Sequence, residues 1–224
     1  MRDPRGRAAV FLFALFLIPQ FARGQSKSQY PRTDFQGWTD IIATHPIHEN
    51  VQFMVNGGLR VSMDAGHLVY RRVGAGLVWK VNKHLTLSPY YNFYDTDSSP
   101  VRESRENRVA VAATAGGSLG RWDIRDRNQF ERRFLIGGQS WRYRNRLEVA
   151  HDVTVAHSRL RIFAWDEVFY DSVPRAWARN RAAIGGSKEL SRRLSVDLYY
   201  VWQNDSHVRP GDLNAIGALF HARF

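Results

Sequence analysis

From Gln139 to Ala150 the chain alternates almost residue by residue: Trp141, Tyr143, Asn145, Leu147 and Val149 against Arg142, Arg144, Arg146 and Glu148. Successive side chains of a strand point to opposite faces, so this segment presents one largely apolar face and one strongly cationic face. Two architectures accept such a strand. A soluble sandwich would hold the charges in water, and a membrane barrel would hold the apolar face in lipid and the charges in its lumen.

The same period runs through the rest of the chain. Val51, Phe53, Val55, Leu59 and Val61 oppose Gln52, Asn56, Arg60 and Ser62; Leu194, Val196, Leu198, Tyr200 and Trp202 oppose Ser195, Asp197 and Gln203. No segment after the first two dozen residues offers a helical period instead. The pattern predicts strands near 49–62, 67–81, 84–94, 105–116, 120–134, 140–151, 156–170, 176–187, 192–203 and 212–224. Many reach the nine to eleven residues that a tilted strand needs to cross a bilayer. The expected fold is therefore all-β, an antiparallel up-and-down transmembrane β-barrel of ten strands, with twelve as the other even count. Trp38–Thr44, before Pro46, is a further short strand: a partner in the wall, half of a twelve-strand count, or a plug.

Residues 1–24 read as a secretory signal, with arginines at 2, 5 and 7, an apolar run from Ala8 to Ile18, and small residues at Ala22 and Gly24. The expected organisation is a signal peptide at 1–24, an N-terminal segment at 25–47 (periplasmic, plug or extra strand) and a barrel domain at 48–224. The chain has no Cys, which excludes both a disulfide framework and a lipidated cysteine after the cleavage site. A net charge of +11 is by itself a weak pointer to a partner, and nucleic acid is not expected.

Three features favour the barrel over the sandwich. The chain ends on an alternating strand, with Ile216, Ala218, Phe220, Ala222 and Phe224 on one face; a terminal aromatic on such a strand resembles the signal read by the outer-membrane barrel-assembly machinery. Aromatic residues collect at strand ends, as membrane girdles do: Phe93, Tyr94, Trp141, Tyr170, Trp177 and Trp202 at one rim, Trp79, Trp122 and Phe224 at the other. The polar faces carry charges that could pair across strands in a closed lumen, namely Arg121, Arg125, Arg127 and Glu131, then Arg142, Arg144, Arg146 and Glu148, then Arg159, Arg161 and Glu167. One detail opposes this pattern. Asp126 and Asn128 share a face with Trp122 and Ile124, which calls for a bulge or an early rim.

Asp34-Phe-Gln-Gly-Trp38-Thr, Arg142-Tyr-Arg-Asn-Arg-Leu-Glu148, Arg159-Leu-Arg161, Glu167-Val-Phe169 and Asn180-Arg181 form an ordered set. In that order it resembles an uncharacterised family of outer-membrane β-barrels, domain of unknown function 2490. Ala182 stands where the pattern expects Leu after Asn-Arg. The resemblance implies a barrel in the bacterial outer membrane and no particular activity.

Chemistry-bearing candidates are few. Asp95 and Asp97, with Asp205 and His207, could form acidic and basic pairs on one face of extended loops, His207 acting as base and Asp205 orienting it. Asp-x-Asp and Asp-x-His also resemble the motifs of omptin proteases, ten-stranded outer-membrane barrels; an omptin-like hydrolase is the alternative function. His157 and Ser158 are neighbours and so point apart, and His45, His48 and Glu49 are too few for a metal site. No cofactor and no metal are expected. The leading expectation is a narrow anion-favouring pore or a plugged structural barrel. Lipid and glycolipid are its expected partners, with rim arginines Arg102, Arg105, Arg175 and Arg209 placed to meet phosphates.

Overall fold

The computed structural model describes residues 33–97, 103–155, 158–208 and 210–224. The expected signal peptide at 1–24, Arg102, His157 and Arg209 lie outside these residues. Eleven strands follow in order: β1 (Thr33–His48), β2 (Val51–Ser62), β3 (His67–Lys80), β4 (Leu85–Asp97), β5 (Glu103–Leu119), β6 (Trp122–Leu135), β7 (Gly138–Val155), β8 (Ser158–Asp171), β9 (Ala176–Ser191), β10 (Leu194–Asp205) and β11 (Asp212–Arg223). Each pairs antiparallel with its neighbours in sequence, and a parallel β1–β11 ladder closes the barrel. Closure leaves no unpaired strand edge, the condition for crossing a membrane with strands.

The expected count of ten becomes eleven, and the wall begins at Thr33 rather than at 48. The segment assigned to 25–47 supplies the closing strand, because its polar residues alternate inward and find partners there. Ser62 Oγ donates to Asp34 Oδ1 at 2.7 Å, Gln36 Nε2 to Asp34 Oδ2 at 2.6 Å, and Trp38 Nε1 to Gln36 Oε1 at 2.8 Å. Trp38–Thr44 is the partner in the wall, its strand extending from Thr33 to His48. With an odd count, β1 starts at the rim opposite the C-terminus. The C-terminal rim carries the tight turns at 49–50, 81–84, 120–121 and 192–193; the opposite rim carries 63–66, 136–137, 172–175 and 206–211.

The outward face is the apolar one: Val55, Leu59, Val73, Val109, Val111, Leu147, Ile162, Ile184, Leu198 and Ile216 are all exposed. Trp79 and Trp122 near one rim, and Trp141, Trp177 and Trp202 near the other, are also exposed, as two interfacial bands require. Tyr94 leaves its expected girdle place: it points inward, is buried, and lies under the Arg108 guanidinium at 3.8 Å. Ile216, Ala218, Phe220 and Ala222 share the outward parity of β11, and Phe224 is exposed just beyond its end. Part of the lumen wall is apolar too, where Trp38, Trp165, Val201, Leu213 and Ala215 pack together.

Inward glycines make room for large neighbours. A Cβ on Gly74 would stand 1.7 Å from Asn92 Oδ1 and 2.4 Å from the Tyr91 carbonyl. Gly74→Val is therefore expected to destabilise the barrel by about 1–3 kcal/mol through overpacking. The check is a lower temperature for the loss of the compact, heat-modifiable gel band; an unchanged temperature would contradict the close approach.

Candidate functional site

The lumen divides into a closed layer near the opposite rim and an open vestibule towards the C-terminal rim. In the closed layer, cross-strand register sets charges beside one another: Glu131 opposes Arg142 across β6 and β7, and Glu167 stands between Arg146 on β7 and Arg181 on β9. The ion pairs form one connected chain. Glu167 Oε1 accepts from Arg127 at 2.6 Å and from Arg144 at 2.8 Å, and its Oε2 accepts from Arg146 at 3.0 Å. Arg144 also donates to Glu131 at 3.0 Å, which Arg108 reaches at 3.2 Å while donating to Glu106 at 2.8 Å. Arg133 bridges Glu106 to Asp171, and Arg142 grips Asp171 with both ends, at 2.7 and 2.9 Å.

These side chains fill the cross-section instead of lining it. Glu106, Glu131, Arg142, Asp171 and Asp205 are all buried, and Glu167 is fully so. Phe169, 2% exposed, stands among four guanidinium groups, with Arg144 at 4.7 Å and Arg181 at 5.0 Å from its ring centre. Side chains of this length can fill a barrel of this strand number.

Towards the C-terminal rim the filling stops. A cavity of about 940 Å³ runs from Arg159, Lys188, Glu189 and Arg223 at the mouth to Tyr94, Gln129, Arg144 and Arg181 at its floor. Its walls carry more guanidinium than carboxylate. Three arginines share Glu167, while Arg60 lies between the Trp38 and Tyr70 rings at 3.9 and 4.2 Å, and Arg181 donates its Nε to Gln203 at 2.6 Å. Neither Arg60 nor Arg181 has a carboxylate within salt-bridge distance among the described residues. The Nε atoms of Arg60, Arg72, Arg127 and Arg146 are buried without an acceptor.

Of the lumen residues singled out in the sequence, Arg125, Arg127, Arg144, Arg146, Glu148, Arg159 and Arg161 border the cavity, and Glu131, Arg142 and Glu167 stand in the closed layer. Arg121 is set apart: it occupies the β5–β6 turn at the C-terminal rim, where its carbonyl accepts from His151, because β6 begins only at Trp122. Asp34, Gln36, Arg72 and Arg179 also turn inward without having been singled out. Arg71-Arg72 hid its inward member: Arg72 reaches Asp40 at 2.7 Å while Arg71 points outward to Asp95 at 3.4 Å.

The acidic and histidine candidates are not brought together. Asp95 and Asp97 lie on β4, on the far side of the ring from β10, and Asp95 faces outward. Asp205 is committed to Arg179 at 2.6 Å and accepts the His207 and Val208 amides, while His207 Nδ1 lies 2.7 Å from Ser206 Oγ. Of the rim arginines, Arg105 and Arg175 are exposed near the opposite rim.

Comparison with known proteins gives barrels and no activity. The KdgM porin, also solved in complex with disordered oligogalacturonate, is 12% identical over 78% of this chain and 91% of its own, with a TM-score of 0.47. LpxR from Salmonella typhimurium is 9% identical over 80% of this chain and 84% of its own, also with a TM-score of 0.47. No curated protein matches the sequence. Residues 35–214 match a family described as protein of unknown function (DUF2490), which covers nearly all of the barrel, and the chain belongs to that family.

Proposed function

We propose that this chain is an outer-membrane barrel whose lumen is closed towards the cell exterior and takes up anions from the periplasmic side. The tight-turn, C-terminal rim faces the periplasm in this reading, as the short turns of outer-membrane barrels do. The observation that carries it is the guanidinium excess in the 940 Å³ cavity: three arginines on Glu167, with Arg60 and Arg181 having no carboxylate within salt-bridge distance among the described residues. An anion entering there would meet guanidinium groups, whose forks suit carboxylate or phosphate oxygens. Reading the chain instead as a hydrolase would need a converged nucleophile and base, and the Asp95–Asp97 pair lies on the wall opposite Asp205 and His207.

Trp38 and Trp165 lie under Arg60 and Arg146, so anion binding beside those arginines is expected to change tryptophan fluorescence. Titrating the folded, detergent-solubilised protein with tripolyphosphate should give a saturable change at constant ionic strength, and spermidine should give none. Arg127→Ala with Arg146→Ala should weaken the response at least tenfold. A response equal for both ions, or unaltered in the double variant, would reject the reading.

A further inference from the structure

Asp126 and Asn128 follow the outward parity of β6 with no bulge, and they stand between Trp122 and Phe134, the aromatic ends of that face. Asn145 of β7 pairs directly with Asn128, and Asp166 of β8 and Asn180 of β9 continue the patch around the wall. Two carboxylates and three carboxamides therefore occupy a band that elsewhere is mostly Val, Leu, Ile, Ala and aromatic, with Thr39, Gly57 and Pro89 among them. They hold one another: Asn145 donates to Asp126 at 2.6 Å, Asn128 to Asp126 at 2.9 Å, and Asn180 to Asp166 at 3.0 Å. Among the described residues no Lys or Arg lies within ion-pair distance of either aspartate. Carboxylates facing acyl chains are costly, and within membranes such groups turn towards protein or water.

We propose that the outward faces of β6–β9 form an isologous, two-fold contact with a second copy of this chain inside the membrane. Two observations select this occupant. The patch holds acceptor-only carboxylates beside donor-bearing carboxamides, so it complements itself when rotated onto its own copy. Ala164 and Ala182 flank Asp166 and allow two walls to approach closely, as small residues do between membrane segments. The connections flanking the patch, at 120–121 on the C-terminal rim and at 136–137 and 172–175 on the opposite rim, are short.

The absence of cysteine makes the contact directly testable. Leu147 is outward, pairs with both Asp126 and Asp166, and is 49% exposed; Leu59 on β2, across the ring, is equally exposed. Leu147→Cys in native membranes, oxidised with copper phenanthroline, is expected to give a disulfide-linked dimer at least ten times more abundant than Leu59→Cys does. Adding Asp126→Leu and Asn145→Leu to Leu147→Cys should abolish that dimer while leaving heat-modifiable migration intact. A Leu147→Cys chain that stays monomeric, links only as often as Leu59→Cys, or links to a protein of different mass would overturn the proposal. Should the triple variant not fold, the comparison of the two single cysteines still decides.

Discussion

Glu167→Gln is expected to cost the barrel about 3–5 kcal/mol, the range for removing one partner of a buried ion pair. Glu167 has no exposed surface, and its two oxygens accept from Arg127, Arg144 and Arg146. A glutamine keeps the shape but removes the charge, and its amide turns one acceptor into a donor aimed at guanidinium groups. Arg144 would retain Glu131, whereas Arg127 and Arg146 have no second carboxylate within salt-bridge distance among the described residues. Glu148→Gln is the matched control: its pair with Arg125 is longer, at 3.5 Å, and solvated, so it should cost less than about 1 kcal/mol. The measurement is the urea midpoint for loss of the heat-modifiable band in both variants. Equal midpoints would mean that Glu167 is not the electrostatic centre of the lumen. Adding Arg127→Gln to Glu167→Gln should recover part of the loss, since it removes one of the stranded charges.

Most of the wall was legible because a strand's period of two is strict: ten segments alternate, and their apolar residues face outward. The eleventh was legible at Trp38–Thr44 as a strand, but its place as the closing strand was not, for a reason that lies outside its own sequence. Asp34, Gln36 and Trp38 alternate correctly with Phe35 and Gly37, but parallel pairing with β11 is a tertiary choice that no local pattern encodes. The charged rows of β6–β8 were likewise legible as rows. What could not be read was where the lumen closes. That depends on the stagger between strands, which brings Glu106 of β5, Arg133 of β6 and Asp171 of β8 to one level although they lie far apart in sequence. Asp126 and Asn128 were visible as an exception to the apolar face. A bulge would have repaired the exception locally; the continuous β6–β7 register leaves it in place, so its explanation lies outside the single barrel.

The closed layer predicts an electrical consequence. In planar bilayers the wild-type barrel should carry no steady current, because buried side chains fill the section above the vestibule. Arg142→Ala with Asp171→Ala removes a bidentate pair from that layer, and removing both partners together avoids stranding either charge. Asp171→Ala alone should be several kcal/mol less stable than wild type, since it leaves Arg142 without its carboxylate, and the double variant should regain much of that loss. Glu106 still holds Arg133 in either variant. The double variant is therefore expected to fold and to show steady current steps, with a reversal potential under a salt gradient that marks anions as the favoured carriers, because the newly connected vestibule is rich in guanidinium. A folded but silent double variant would place the barrier deeper, at Phe169 and the arginines around it. Steady current in the wild type would remove the closed layer from the account altogether, and cation-favouring steps would remove the arginine excess as the basis of selection.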